Sequence, residues 1–363
     1  MEKVIKKVFI VRNTNLGGIN TIVKNFYDNA SNVRILSLSK KEKESYIDYD
    51  DIIYFPLLNR KRNILIRILN KIFPYLFVRL FCTSNTEKLI EIIESEVGKN
   101  FKAYACGYGA YSNINFKIDK RLILVSHSVN SEMLNIRCPK YLYKINISIL
   151  KKIIPKRFIA VSDTIKNDWK KILDNDYEIK VIKNPFKLKN NFNNVVEKKE
   201  NYFVFCGRLS YEKNIINIIN YFISSELGET KLLIIGDGPD KKRITSYIND
   251  KGISNLIIFK GYIENPYDVI SKAKCLILNS HYEGYPTVVI ESLLLGTKVV
   301  LGQCGGAAYD IIQPKYHHNI INKSDKSKFI ETFNRVLNDN YPLFEIDMDD
   351  ISISKAINKY EQF

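Results

Sequence analysis

Glu283-Gly284-Tyr285-Pro286-Thr287-Val288-Val289-Ile290-Glu291 is the stretch on which the fold turns. Before it, Cys275-Leu276-Ile277-Leu278-Asn279-Ser280 is a short apolar run that reads as a buried strand. After it, Ser292-Leu293-Leu294-Leu295 continues a helix, with Gly296 as its C-cap. Pro286 suits the first turn of that helix, where a missing N–H costs nothing. A strand, a glycine turn and a helix start therefore bring free helix N–H groups to the strand's carboxyl edge, which is an anion site. Two carboxylates frame it: Glu283 before the helix and Glu291 about one and a half turns beyond Pro286. A carboxylate repels a phosphate, so both are assigned to hydroxyls. The bare pair also describes two surface glutamates on an ordinary helix. The flanking Ser280-His281-Tyr282 and Gly296-Thr297-Lys298-Val299-Val300 make the pattern more specific.

The chain has 363 residues, enough for two domains of ordinary size, and its 45% hydrophobic content excludes wholesale disorder. No apolar run reaches the roughly 18–20 residues of a spanning helix. Residues 1–11 read as a first strand rather than a signal peptide. Six scattered cysteines without Cys-x-x-Cys read as small buried hydrophobes in a reducing compartment. Charge is uneven. Residues 1–190 hold 35 Lys+Arg and 18 Asp+Glu, net 35 − 18 = +17, and the remainder holds 20 and 21, net −1. Nucleic acid, anionic lipid or a phosphorylated substrate are the partners this admits.

Strands are expected at 4–11, 33–38, 52–55, 104–106, 122–126, 158–161 and 179–182, with helical stretches between them, giving a parallel, doubly wound sheet. Residues 186–200, rich in Asn and Lys, read as a linker. A second alternating series follows, with strands at 202–206, 232–235, 256–259, 275–278 and 299–301. Its helices fall at 215–226, 239–250, 266–273 and 327–338, and a last helix covers 351–360.

Several turns could carry chemistry. Gly17-Gly18, between the first strand and a helix from Ile19, is a possible phosphate cradle, weak by itself. Gly207-Arg208-Leu209-Ser210-Tyr211-Glu212-Lys213-Asn214 puts an Arg and a Lys at a strand's carboxyl end, which suits a diphosphate, although a solvated basic turn looks the same. Gly236-Asp237-Gly238-Pro239 lacks the third glycine of a dinucleotide fingerprint. His127 ends the strand from Leu122. His281 adjoins Glu283, and His317 and His318 lack ligand partners. Asp48-Tyr49-Asp50 is a metal-binding-type triplet in an acidic loop with the wrong strand context. From Arg60 to Phe81 there are six basic residues and no acidic one, among Ile, Leu and Phe, and Lys140–Arg157 repeats the mixture. Such stretches suit an anionic membrane interface, or a helix with one packed and one solvated side. No nucleic-acid-binding motif is present.

Taken together these motifs resemble the retaining glycosyltransferases of family 4, of the bacterial surface-polysaccharide type. The likeness covers nearly all of Phe203 to Ile312. It is looser earlier, where it rests on Gly17-Gly18, His127 and Ala160-Val161-Ser162. It implies the GT-B fold: two Rossmann-like, doubly wound α/β domains facing each other across a cleft. The domains would be an acceptor-binding, membrane-facing 1–190, a linker 191–200, a nucleotide-sugar-binding 201–345, and a terminal helix in 346–363 packed back on the first domain. By the resemblance Arg208 and Lys213 neutralise the leaving diphosphate and His127 faces the donor sugar, and with Glu283 these are the candidate catalytic residues. Gly17, Gly18, Gly207, Tyr262, Ile263, Gly284, Tyr285, Pro286, Thr287, Val288 and Glu291 complete the donor site, with Tyr262-Ile263 at the base. The reaction implied is transfer of a hexose from a nucleotide sugar, foremost a UDP-sugar, to a lipid-linked glycan acceptor. O-antigen, capsule and lipopolysaccharide assembly are the settings, and the anomeric configuration is kept. No cofactor or metal and no nucleic acid is implied. The protein would be cytoplasmic, peripheral at the inner face of the plasma membrane. A nucleotide-sugar 2-epimerase of the same fold and a non-catalytic sugar- or membrane-binding relative are the alternatives. Asp310 departs from the family, which often has Glu after the Gly-Gly turn.

Overall fold

The computed structural model describes residues 5–15, 17–41, 45–56, 83–129, 131, 143–187 and 199–363. The chain divides into two compact units, Met1–Phe186 with Asp349–Phe363, and Lys187–Met348.

The first unit is built on a seven-stranded sheet. Its strands are β1 (Lys6–Val11), β2 (Val33–Ser37), β3 (Ile53–Tyr54), β4 (Phe101–Cys106), β5 (Leu122–Ser126), β6 (Arg157–Ala160) and β7 (Glu178–Val181), in the order β3-β2-β1-β4-β5-β6-β7. Every neighbouring pair is parallel. Helices cover a parallel sheet on both faces, so its central strands read as continuous apolar runs rather than alternating ones. β5 is buried at all five positions and β1 at its last five. β4 starts at Phe101, three residues before its expected start, because Lys102 interrupts the apolar run without ending the strand.

The helix Ile353–Glu361 belongs to this unit. Its Tyr360 ring lies 4.8 Å from Phe26, 5.1 Å from Tyr104 and 5.9 Å from Phe9. The Tyr104 hydroxyl donates to the Tyr360 carbonyl at 2.9 Å, and Lys7 Nζ meets Glu361 Oε1 at 2.7 Å.

The second unit has a five-stranded sheet of β8 (Tyr202–Cys206), β9 (Lys231–Ile235), β10 (Ile257–Gly261), β11 (Cys275–Leu278) and β12 (Lys298–Leu301). The order is β10-β9-β8-β11-β12, all parallel. The chain winds outward from β8 to β10, then returns beside β8 as β11. This reversal opens a switch point between β8 and β11, and open α/β sheets bind ligands outside the strand carboxyl ends at such a point. The fold class is therefore two doubly wound, parallel α/β units.

The helix after β11 runs Thr287–Leu294, so Pro286 is the residue before its first turn rather than in it. It ends one step differently as well. Leu295 is the cap, and Gly296 follows in the left-handed region at φ 68°. Gly296 N–H donates to Leu293 O at 3.1 Å and Thr297 N–H to Ser292 O at 2.8 Å, the paired bonds of a Schellman stop.

Candidate active site

At the carboxyl edge of the second sheet, the loops after β8, β9 and β10 are stitched together by backbone bonds. Gly207 N–H donates to Ile235 O at 3.0 Å, Leu209 N–H to Asp237 O at 2.9 Å, and Gly236 N–H to Gly261 O at 2.8 Å. The glycines of Gly236-Asp237-Gly238 make this approach possible. A Cβ on Gly236, which has φ 138°, would lie 1.9 Å from Gly207 O, and one on Gly238 would lie 2.3 Å from Leu209 O. That motif therefore braces the Gly207-Arg208-Leu209 loop. Arg208 is exposed there, and its guanidinium makes no ion pair or hydrogen bond among the described residues.

Lys213 closes a single 3-10 turn, Tyr211–Lys213, which stops at Asn214 in the left-handed region. Its Nζ lies 2.6 Å from Glu283 Oε1, with only 20% of the Lys and 12% of the Glu side chain exposed. Ser280 Oγ donates to the same oxygen at 2.6 Å. Three further bonds hold these loops. His281 N–H donates to Glu212 O at 2.8 Å, Asn214 Nδ2 to Asn279 O at 3.2 Å, and Glu283 N–H to Cys304 O at 3.0 Å. Oε1 of Glu283 is thus saturated, while Oε2 has no partner among the described residues and is left to accept a hydroxyl. Lys213 was expected to face a diphosphate. In the structure it first compensates Glu283, because a carboxylate this covered needs a cation. Arg208 is the uncommitted charge of the pair.

Glu291 sits in the helix Thr287–Leu294 and is half-buried. Burial pushes its carboxyl from the ordinary 4.5 up to about 7, against a Thr287 hydrogen bond that pulls the other way. At the end of β8, burial and then the Glu291 charge push the Cys206 thiol up, against the opposing charge of Lys213. For Glu291 a raised folded-state value gives a definite sign. Below about 4.5 both states carry the proton and nothing is lost. As pH rises to 7 the unfolded chain ionises first and folding weakens, by on the order of 3 kcal/mol at 1.36 kcal/mol per unit. Glu291→Gln should therefore gain stability over wild type between pH 5 and pH 8 in urea unfolding. A difference that does not change with pH would contradict this.

The remaining second-unit residues lie on the same edge. Gly261 ends β10 with φ 69°, Tyr262 is exposed and Ile263 half-buried beside it. Gly284 to Pro286 form the turn into the helix, which Thr287 and Val288 begin, with Tyr285 and Pro286 buried. Gly305, at φ 69°, lets the loop after β12 close on Tyr282. Sequence reading assigned Gly305 no role.

Gly17, Gly18 and His127 belong to the first unit. Gly17 precedes the helix Gly18–Asn29 with no side-chain cap. Asn20 Nδ2 holds the preceding loop by donating to Asn13 O at 2.9 Å. His127 follows β5, and burial pushes its imidazole down to about 3, so the ring is neutral. Its Nε2 is buried without a hydrogen-bond partner. The loop after it is tied down by Asp168, which accepts from Ser131 N–H at 3.1 Å. Sequence reasoning passed over Gly107-Tyr108-Gly109. A Cβ on Gly107 would meet Ile19 Cδ1 at 2.3 Å and one on Gly109 Arg12 Cδ at 2.6 Å. Two glycines straight after β4 were the available signal.

Asp48 faces Lys41 at 3.4 Å, and Asp50 is exposed. Among the described residues no group of three or more His, Cys, Asp or Glu could hold a metal, and no helix is long and apolar enough to cross a membrane. The basic stretch 60–81 lies outside the described residues. Of the second stretch, the helix Tyr143–Lys151 buries Asn146, Ile149 and Leu150 and exposes Lys144 and Ile145.

Residues 186–354 match the family model described as "Glycosyl transferases group 1". The match takes in the second unit with its β8–β11 switch point. The chain is 26% identical over 211 residues to the lipopolysaccharide 1,6-galactosyltransferase of Escherichia coli, covering 56% of this chain and 57% of that one. It thus spans little more than half the length of that relative. Among solved structures, the lipopolysaccharide outer core galactosyltransferase WaaB superposes with TM-score 0.64 at 19% identity, over 99% of this chain and 98% of that one. Anabaena Alr3699/HepE in complex with UDP-glucose superposes with TM-score 0.64 at 14% identity, over 98% and 95%. The fold is that of the GT-B glycosyltransferases.

Proposed function

We propose that the chain is a retaining glycosyltransferase of family 4. It moves a hexose from a nucleotide sugar, foremost a UDP-sugar, to a lipid-linked glycan in bacterial surface polysaccharide assembly. The observation that carries this reading is the Lys213–Glu283 pair joining the loops after β8 and β11 at the switch point, with an uncommitted Arg208 on the same β8 loop. Arg208 meets the diphosphate, and Lys213 adds positive charge beside it. As the bond from the anomeric carbon to the phosphate oxygen breaks, its electron pair stays on that oxygen, where fixed cations stabilise it. The acceptor hydroxyl oxygen forms the new bond on the same face, and its proton passes to the leaving phosphate. Glu283 Oε2 holds a hydroxyl of the hexose. Cationic side chains do the work of a metal, and no cofactor takes part. The galactosyl transfer named for the Escherichia coli relative supports a hexose, and the UDP-glucose held by the HepE structure supports a nucleotide-sugar donor.

The first unit would receive the acceptor at the inner face of the plasma membrane. The support is the net charge of +17 in residues 1–190, since each Lys or Arg near an anionic surface contributes about 1 kcal/mol. The test is release of nucleoside diphosphate from a panel of nucleotide sugars, with lipid-linked acceptor supplied in anionic or in neutral vesicles. Release should need the acceptor, proceed faster from anionic vesicles and survive EDTA. Release without acceptor, or activity lost in EDTA and restored by Mg²⁺, would contradict the reading.

A further inference from the structure

Asn214 stands directly before the helix Ile215–Ile223, at its N-cap. An Asn there ordinarily turns its side chain back to accept a backbone N–H of the first helical turn. Asn214 makes no such cap bond. Its Nδ2 instead donates to Asn279 O at 3.2 Å, across 65 residues, and joins the loop after β8 to the end of β11. The backbone serves the same end. Asn214 lies in the left-handed region at φ 55° and ψ 36°, which Asn tolerates better than most side chains. From there its N–H closes the Tyr211–Lys213 turn on Tyr211 O at 3.1 Å. The anchor is itself pinned. Asn279 is fully buried, and its Nδ2 donates to Lys323 O at 3.1 Å. Its amide oxygen occupies the space that a side chain at Gly302 would need, since a Cβ there would lie 2.1 Å from Asn279 Oδ1. A cap bond would have stabilised the helix end locally. The bond made in its place fixes where the turn sits against β11. Lys213 directly precedes Asn214, and Glu283 follows Asn279 by four residues, so the bridge ties the backbone on both sides of the 2.6 Å ion pair.

We propose that Asn214 is a positioning residue for transfer: anchored on Asn279, it fixes the backbone from which Lys213 reaches Glu283 and the leaving diphosphate. The inference rests on the glycosyltransferase reading above and adds a residue to its charge-stabilising site. A lysine is a compact charge on a flexible stem, so the place of its ammonium depends on where the backbone starts it. Charge that stabilises a transition state must be in place beforehand, and the bridge supplies that order from within the second unit.

Two measurements on the full chain test this. The first needs no substrate: hydrogen–deuterium exchange of Asn214→Gly beside wild type. Glycine adopts the left-handed backbone freely and is nearly neutral at an N-cap, so the variant keeps the fold and lacks only the bridge. The His281 amide, which closes on Glu212 O, should exchange at least about fivefold faster, with the amides of β9 unchanged. Unchanged exchange at His281 would overturn the bridge. The second is steady-state transfer from a UDP-hexose to a lipid-linked glycan. Asn214→Gly should lower kcat about fivefold to tenfold, the kinetic worth of one hydrogen bond, and leave the donor KM within about twofold, because Arg208 is untouched. Asn214→Asp keeps the shape but turns an acceptor toward the Asn279 carbonyl, and should lose as much. In a Lys213→Ala background Asn214→Gly should lower kcat no further, since the two residues act as one. An unchanged kcat in Asn214→Gly, or the full further loss in Lys213→Ala, would overturn the positioning role. A wild type that transfers nothing while the His281 amide still responds would remove the glycosyltransferase reading and uphold the bridge.

Discussion

Arg208→Ala should lower kcat/KM for transfer by at least about 100-fold, the scale for losing one preorganised group that stabilises developing charge. Arg208 is exposed and unpaired, so its removal leaves nothing uncompensated and stability should stay within about 0.5 kcal/mol of wild type. Lys213→Ala should lose at least as much activity for a mixed reason. It removes a cation and also strands the Glu283 carboxylate, whose only other partner among the described residues is Ser280 Oγ. Its stability should fall too, and Lys213→Ala combined with Glu283→Gln should recover stability without recovering transfer. Steady-state kinetics beside urea unfolding separates these effects. Transfer by Arg208→Ala within about threefold of wild type would remove the diphosphate role.

Tyr360→Ala should destabilise the first unit by about 3–5 kcal/mol, the usual cost of deleting a fully buried aromatic ring. Tyr360 is 2% exposed and sits among Phe9, Phe26 and Tyr104, so truncation empties the junction between the terminal helix and β1 and β4. The bond from the Tyr104 hydroxyl goes to the Tyr360 backbone carbonyl, so the loss is one of ring packing. Trp169 is the only tryptophan and lies in the first unit, its Nε1 donating to Ser126 Oγ at 2.9 Å. Its fluorescence during urea unfolding therefore reports this unit alone. A loss below about 1 kcal/mol would mean the helix contributes little to this core.

The doubly wound fold class was legible because a parallel sheet prints itself as repeated apolar runs ended by glycine turns. Phe203-Val204-Phe205, Leu232–Ile235 and Cys275–Leu278 are such runs, and each leads into a polar loop. The strand order was not legible, since no local pattern tells β11 to return beside β8. The Lys213–Glu283 pair was missed for the same reason: its members are 70 residues apart in sequence and meet only through that return. Sequence reading gave Lys213 to a diphosphate and Glu283 to a hydroxyl separately, and pairing changes what both can do. The Tyr360 cluster is more remote still, joining the last helix to the first strand. Gly107 and Gly109 were visible as letters, yet their purpose, close approach of Ile19 and Arg12, needs the neighbouring strand.

The most direct test of the central claim is proton NMR of the complete reaction: wild-type protein, a UDP-hexose and a lipid-linked glycan acceptor. The account predicts a new glycoside on the acceptor, with the anomeric configuration of the donor kept, and an equal amount of released UDP. Interconversion of two nucleotide sugars with no acceptor consumed, or a glycoside of inverted configuration, would contradict it.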